Sequence, residues 1–319
     1  MKFLRGILNI TPLEKGCVLT LGNFDGIHLG HQKIVETVKM KSTELGAPSA
    51  VLFFEPQPRE YFAHEKSPAR LTTLHEKYRF MSSLGIDYLY CLRFSNLLSD
   101  LGAEEFIERI LIGKFNVRHL VIGDDFRFGR GRGGSYETLL QYGRDTGRFT
   151  VQKSPSFTID GLRVSSTLIR KALAEDRLDQ ARAMLGRYYS ISGKVVHGQQ
   201  IGRTIGFPTA NISLNRIVTP VSGVYAVTAD FEDRQLLGVA NIGTRPTLAG
   251  QEPRLEVFFF NFHDNLYGRR MTVQIRGKIR EEQKFSSLDQ LKQQIEQDKL
   301  AAQEILAKQA LGRDLHSCP

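Results

Sequence analysis

The chain has few cysteines: three in 319 residues, scattered at Cys17, Cys91 and Cys318 with no CxxC pair. An odd, sparse set speaks against a disulfide framework and a thiolate zinc site, and it implies reduced thiols in a cytoplasm. No apolar run approaches the ~18 residues that a membrane span needs. The opening MKFLRGILNITPLEKG has a short apolar stretch broken by Arg5 and lacks a small-residue cleavage site, so no secretory signal is expected. A GxxxxGK followed by Ser or Thr occurs nowhere, which leaves out phosphoryl transfer of the P-loop kind. Repeats, low-complexity linkers and a basic tail are also missing. The net charge of +9 divides into +5 over residues 1–186 and +4 over 187–319. That even spread speaks against an RNA-binding protein and suits sites for polyanionic nucleotides in both halves.

What is present is an ordinary globular composition, 41% hydrophobic and 24% charged, in a chain long enough for about two domains. The first half alternates. Strand-like runs at Val18–Leu21, Ala50–Phe54, Tyr88–Phe94 and His119–Ile122 are separated by helical patterns near Gly30–Leu45, Thr73–Leu84 and Ala103–Ile112. This predicts βαβ units and a parallel sheet, with ligands at the C-terminal ends of the strands. Helical stretches near Ser165–Ala174 and Asp179–Leu185 close the half. After Gly186 the pattern changes. Tyr189–Val196, Val224–Ala229, Leu236–Ile242, Leu255–Phe262 and Met271–Ile279 read as strands of an antiparallel barrel or sandwich. A capping-box pattern from Ser287 to Gln290 then opens a terminal helix, whose Leu288, Leu291 and Ile295 are expected to pack on the barrel. The change of period sets the expected domains at 1–186 and 187–319.

The motifs that carry chemistry follow this division. In LTLGNFDGIHLGH, Leu19 to His31, an apolar run breaks at Gly22 and passes through Asn23, Phe24 and Asp25 into a helix start. A strand, a Gly-rich turn and a helix N-terminus form an anion site, where His28 and His31 can donate to phosphate oxygens. On these residues alone, structural histidines or a metal pair are the alternatives, although no Cys or carboxylate with ligand spacing lies nearby. In VSSTLIRKAL, Ser165, Ser166 and Thr167 precede Arg170 by a turn. Hydroxyls there ordinarily cap a helix; with the arginine they suit a phosphate clamp. VIGDDFRFGRGRGGS, from Val121, contains a formal GxGxxG, but no strand ends on its first glycine, so a mobile, Arg-bearing loop is expected instead.

In the second half, Gly198, Gly202 and Gly206 allow a loop of GKVVHGQQIGRTIGFPTANI to approach phosphates. Thr209 and Asn211 alternate on an extended segment, so both face one side with oxygen ligands suited to Mg²⁺. An ordinary capped turn is the alternative for PTAN alone. Glu256, in RLEVFFFNF, is flanked by apolar residues, a setting that suits a proton acceptor; most such glutamates simply point outward from an edge strand.

Together these motifs resemble a known family. GNFDGIHLGH followed by SSTLIR resembles the nucleotidylyltransferases, and GDDFRFG and FFEPQPRE resemble the prokaryotic FAD synthetases among them. Gln57 stands where that family usually has His. GRTIGFPTAN is similar to the riboflavin kinase signature, as are NLYG (Asn265–Gly268) and IREEQKF (Ile279–Phe285); Phe258 replaces the usual His after Glu256. The resemblance to bacterial bifunctional riboflavin kinase/FMN adenylyltransferases covers nearly the whole chain. It implies a Rossmann-like α/β domain followed by a mostly-β kinase barrel with a terminal helix. The implied reactions are riboflavin plus ATP to FMN, and FMN plus ATP to FAD and pyrophosphate, with Mg²⁺ and with no nucleic-acid or membrane partner. It assigns Gly22, Asn23, Phe24, Asp25, Ser165, Ser166 and Thr167 to ATP in the first domain, with His28, His31 and Arg170 catalytic. In the second, Gly202, Arg203, Gly206, Phe207, Pro208 and Thr209 bind ATP, Thr209 and Asn211 hold the metal, and Glu256 is the base. Asp125, Phe126, Tyr267, Gly268, Arg280 and Glu282 are implied at the flavin. The substitutions at Gln57 and Phe258 also allow a single-activity enzyme whose other domain only binds flavin.

Overall fold

Parallel sheets bury both faces, so their strands read as unbroken apolar runs. The segment Cys17–Leu21 is buried at every position. The computed structural model describes residues 1–63, 67–198, 206–214, 216, 218–247 and 250–314. Two compact units emerge, Met1–Pro68 with Thr72–Ser166, and Ala69–Leu71 with Thr167–Pro319.

The first unit runs β1 (Lys2–Arg5), β2 (Cys17–Leu21), α1 (Leu29–Leu45), β3 (Ser49–Glu55), α2 (Pro58–Ala63), α3 (Leu74–Ser83), β4 (Tyr88–Arg93), α4 (Asn96–Ser99), α5 (Ala103–Phe106), β5 (Val117–Gly123), α6 (Tyr136–Thr146) and β6 (Thr150–Ser154). The six strands are parallel in the order β1-β4-β3-β2-β5-β6. The chain winds outward from β2 to β3 and β4, then crosses to β5. The switch point therefore lies between β2 and β5, at whose C-terminal ends ligands bind in such sheets. Helix α3 starts at a capping box of Thr73 and Glu76, and α1 ends at Gly46 in the left-handed region (φ 60°). The single helix expected over Ala103–Ile112 is instead one α turn followed by a π segment, Ile107–Ile112. Its wider turn, marked by Gly113 N–H donating to the Glu108 carbonyl at 2.8 Å, buries Ile107, Ile110 and Leu111 together.

Several elements have no counterpart in the sequence reading: β1, α2, α4, α6, β6 and a small hairpin of β7 (Thr158–Ile159) with β8 (Leu162–Arg163). The strands β1 and β6 lie at the sheet edges, with exposed positions and no continuous apolar run.

The helix α7 (Ser166–Ala174) begins where the units divide. It is followed by α8 (Leu178–Leu185), β9 (Ser190–Val196), β10 (Ala210–Ser213), β11 (Gly223–Phe231), β12 (Arg234–Thr247), β13 (Gly250–Phe259), β14 (Arg270–Arg280) and α9 (Leu288–Asp314). The strands close an antiparallel barrel in the order β10-β13-β12-β11-β14-β9, with β9 pairing β10. The compact unit takes in α7 and α8 because the turn between them is tied to the barrel. The Asp176 carboxylate accepts from Tyr225 Oη at 2.8 Å and Lys278 Nζ at 3.0 Å. Burial, and then the bond to Asp176, push the Tyr225 hydroxyl well above the usual tyrosine range, so it stays a donor.

Inside the barrel, Ile212, Tyr225, Val227, Ala240, Ile242, Leu255, Val257 and Ile275 form a buried core. On the outer face, Val224, Ala226 and Val239 pack with Ala302 and Leu306 of α9. The contact face of α9 is thus centred further along than expected, and Leu288 is exposed. Gly277 sets the approach: a Cβ there would lie 2.8 Å from Ile305 Cγ2. Ser287 Oγ does cap the helix, accepting from Gln290 N–H at 3.3 Å, but the Gln290 side chain reaches Ser286 rather than closing the box.

Candidate active sites

The turn after β2 forms because its sequence tolerates left-handed backbone at three closely spaced positions: Phe24 (φ 47°), Gly26 (φ 83°) and Ile27 (φ 40°). Two of these are not glycine, so the conformation persists only where neighbours hold it. Thr72 is one such neighbour. Its N–H and Oγ1 donate to the Asp25 carboxylate at 2.9 and 3.2 Å, and its Oγ1 accepts from Gly26 N–H at 3.0 Å. Ser166 Oγ donates to the Asp25 carbonyl at 2.8 Å. Asp25 and Ser166 therefore shape the turn.

His28 is the N-cap of α1, and its Nδ1 accepts from His31 N–H at 3.3 Å. In a neutral ring that bond leaves the proton on Nε2. The two imidazoles stack with centroids 3.7 Å apart, and His31 also meets the Phe24 ring at 5.1 Å. The structure thus brings Gly22–Asp25, His28, His31 and Ser166 to one strand–turn–helix junction, where the N-terminus of a 17-residue helix is a positive end. Ser165 and Arg170 are half-buried and Thr167 is exposed. Arg170 Nε donates to the Ala69 carbonyl at 2.6 Å, a partner in its own compact unit.

The loop after β5 is held at both ends, unlike the mobile loop expected. Phe128 and Gly134 exchange backbone hydrogen bonds at 3.1 and 2.9 Å, and Arg130 N–H donates to the Leu101 carbonyl at 2.7 Å. A Cβ on Gly134 would lie 2.5 Å from the Phe128 ring, so only glycine closes this bridge. Asp125 is exposed and paired with Arg163 at 3.1 Å, while Phe126 stacks on Phe128 at 5.6 Å. At the end of β3, Gln57 is buried, and its Nε2 has no partner among the described residues.

The second site lies on the outer face of the barrel. Apolar Leu255, Val257 and Phe259 point into the barrel, which turns Arg254, Glu256 and Phe258 outward. Glu256 stands directly opposite Asn211 of β10 on one side and Asn241 of β12 on the other, so the three side chains share a face. The apolar surroundings expected for Glu256 are replaced by an ion pair with Arg254 at 2.5 Å. Gly198 packs on the Asn211 amide, for a Cβ there would be 2.2 Å from Nδ2. Gly243, opposite Arg254, likewise leaves room for the Glu282 carboxylate, which a Cβ would meet at 2.0 Å. Thr209 precedes Asn211 by two residues, half-buried. Buried Phe207 meets Phe258 edge-on at 5.3 Å, beside exposed Pro208 and Gly206 (φ 92°). Gly202 and Arg203 lie outside the described residues.

Three further assignments fall nearby in sequence but differ in setting. Tyr267 is exposed and stacks on His197 at 4.0 Å, next to Gly198. Gly268 (φ 78°) donates its N–H to Val195 at 3.0 Å. Arg280 holds Asp298 of α9 with both Nε (2.8 Å) and Nη2 (2.7 Å), so much of its guanidinium is engaged within the protein.

The residue that sequence reasoning passed over is Asn241. Its Oδ1 is buried without a partner among the described residues, and the residue stands directly opposite Glu256. It opens the segment NIGTRPT, Asn241–Thr247, in which no residue type or spacing points to chemistry.

Residues 10–168 match the family model for FAD synthetase, and residues 185–306 that for riboflavin kinase. The chain is 48% identical over 306 residues to a bifunctional riboflavin kinase/FMN adenylyltransferase of Escherichia coli, covering 95% of this chain and 97% of the relative. A protein of the same description from Pseudomonas fluorescens is 46% identical over 311 residues, 97% of this chain and 99% of the relative. A solved structure described as a macrolide-efflux protein from Streptococcus pneumoniae superposes with a TM-score of 0.78 at 31% identity, covering 93% of this chain and 97% of that one. Among the described residues, no helix is long and apolar enough to cross a membrane.

Proposed function

Because the chain belongs to the family of bacterial bifunctional riboflavin kinase/FMN adenylyltransferases, we infer that it carries both activities, one in each half. It phosphorylates riboflavin with ATP to FMN and ADP, and it transfers AMP from a second ATP to FMN, giving FAD and pyrophosphate. We place the functional division at Gly186, at the start of the segment that matches riboflavin kinase, and the protein in a cytoplasm, where its buried free thiols Cys17 and Cys91 stay reduced.

In the barrel, Glu256 accepts the proton of the riboflavin 5′-hydroxyl as that oxygen attacks the γ-phosphorus of ATP, and the γ-phosphorus–oxygen bond to ADP breaks. The observation that carries this reading is the cross-strand register of Asn211, Glu256 and Asn241 on one outer face. Arg254 holds the carboxylate in place. The Thr209 hydroxyl and the Asn211 amide oxygen are hard donors that fit Mg²⁺, and the unpartnered Asn241 Oδ1, across Glu256 on the same face, is a third such oxygen. When bound, the ion neutralises phosphate charge. Gly202, Arg203, Gly206, Phe207 and Pro208 belong to the ATP loop; Tyr267, Gly268 and Glu282 contact flavin, and Arg280 acts there while tied to Asp298.

In the first half, an FMN phosphate oxygen attacks the α-phosphorus of ATP, and the bond to pyrophosphate breaks. His28 and His31 donate to phosphate oxygens from the turn of Gly22, Asn23, Phe24 and Asp25. Ser165, Ser166, Thr167 and Arg170 complete the phosphate contacts, and Asp125 and Phe126 lie at the flavin. No side chain forms a covalent intermediate, so the work is positioning and charge.

The test is to incubate the purified chain with riboflavin, ATP and MgCl₂ and separate the flavins by fluorescence-detected chromatography. FMN followed by FAD is expected. FMN that never converts would remove the adenylyltransferase activity, and an unchanged riboflavin peak would remove the kinase activity.

A further inference from the structure

Lys77 is a fully buried lysine, at 0% exposure, on the second turn of α3. Its Nζ donates to the Asn23 carbonyl at 2.7 Å and lies 4.3 Å from the centre of the Phe53 ring. An ammonium is costly to bury unless its donors are used, so a lysine kept in such a place marks a job for its charge or its reach. We propose that Lys77 is a positioning residue for adenylyl transfer, fixing the phosphate turn from behind without touching substrate. This rests on the adenylyltransferase reading above.

The geometry supports that role at three points. First, α3 is itself anchored: Thr73 and Glu76 close its capping box, and Thr72, just before it, holds Asp25 and Gly26. The stretch Thr72–Lys77 therefore grips the turn at both ends, Asn23 by Lys77 and Asp25–Gly26 by Thr72. Between these grips lies Phe24, in the left-handed region that a non-glycine residue seldom occupies.

Second, a trans peptide directs its C=O and N–H oppositely. Drawing the Asn23 carbonyl onto Lys77 aims the Phe24 N–H away from α3. Phe24 is 2% exposed, and its N–H has no hydrogen-bond partner among the described residues. A buried backbone donor left unpaired is rare. Here it stands at the C-terminal end of β2, just before the N-terminus of α1, as a preset donor for an oxyanion.

Third, the Lys77 side chain is wholly buried, so a proton held there would act on the turn through protein rather than water. It favours the extra negative charge that develops on the phosphates as the α-phosphorus becomes five-coordinate.

The experiment compares full-length Lys77→Met and Lys77→Gln with wild type. Pyrophosphate release is measured with FMN and ATP, riboflavin phosphorylation on the same samples controls for the barrel unit, and urea unfolding followed by circular dichroism controls for folding of the unit that holds Lys77. Methionine keeps the length without donor or charge, and kcat for FAD formation should fall about a hundredfold, the loss typical of a preorganised oxyanion contact. Glutamine keeps a donor without the charge and should recover about tenfold of that loss. The KM for FMN and the riboflavin kinase rate should stay at wild-type values in both. The proposal is overturned if kcat for FAD formation in the Met variant stays within about threefold of wild type, well inside a single hydrogen bond's worth. It is also overturned if both activities fall in step, if FMN affinity is lost with kcat intact, or if Gln recovers nothing over Met. Should the Met variant not fold, the Gln variant is read alone: a fall in FAD formation with kinase retained supports the role, and equal rates refute it. Wild-type protein that makes no FAD would remove the adenylyltransferase reading itself.

Discussion

Replacing Asp298 by Asn should loosen the barrel unit far more than a surface charge change would. The Asp298 carboxylate is 4% exposed and accepts three hydrogen bonds: from Arg280 Nε at 2.8 Å, Arg280 Nη2 at 2.7 Å and Gln294 Nε2 at 3.0 Å. The Arg280 side chain is 16% exposed, so little water screens the pair. Removing one member of a buried ion pair leaves the other charge unmatched, which costs about 3–5 kcal/mol, against roughly 0–1 for an exposed pair. Replacing both by methionine should cost less than either single change, because no unmatched charge remains. The assay is urea unfolding followed by far-ultraviolet circular dichroism, with loss of riboflavin kinase activity against urea as the probe local to the barrel. The reasoning also separates two roles of Arg280. Asp298→Asn should lower the urea midpoint with little change in riboflavin KM below the transition, whereas Arg280→Met should raise KM as well if the guanidinium contacts flavin. A cost under about 1 kcal/mol for Asp298→Asn would place this pair with exposed ones and refute the argument.

Other outcomes follow from single contacts. Gly198→Ala puts a Cβ 2.2 Å from Asn211 Nδ2 and should cut the kinase rate at least tenfold, as misplaced positioning groups do, while FMN-to-FAD turnover holds; parallel assays check it. His119 is buried against the sheet, and its pKa is lowered from the ordinary 6.5, first by burial and then by Lys41. The folded state thus favours the neutral ring. Its contribution is present above pH 6.5 and is lost as pH falls from there toward the lower folded value, so a His119→Gln variant should show a smaller drop in urea midpoint between pH 7.5 and pH 5. Burial pushes the Cys17 thiol up to about 12 and the Cys91 thiol, mainly by burial, up to about 11. In a Cys318→Ser variant, a disulfide-exchange reagent at pH 8 should therefore react only after denaturation.

The parts of the fold with local signals were legible. The turn from Gly22 to His31 announces itself because glycine, an acid and two imidazoles at a strand end serve one local geometry. The central strands could be read because both of their faces are buried. Edge strands such as β6, with the sequence TVQKS, carry no such pattern. The kinase face was legible only by halves: Asn211 and Glu256 stand out in sequence, but that Asn241 lies beside them and Arg254 holds the carboxylate depends on strand register, which is non-local. Lys77 was invisible for the opposite reason. In LHEKYRF it sits among charged neighbours on an ordinary helix, and nothing in that string says the lysine points inward. That Arg280 also holds Asp298 was not legible, because that partner lies on another element.

The central claim is that one chain runs two separate phosphate transfers, with Glu256 serving only the first. It is tested most directly by assaying Glu256→Gln on two substrates, riboflavin with ATP and FMN with ATP. The account predicts that FMN formation falls by about 10² to 10⁴, the usual worth of a positioned base, while conversion of added FMN to FAD proceeds at the wild-type rate. Unchanged FMN formation, or loss of both reactions together, would contradict it.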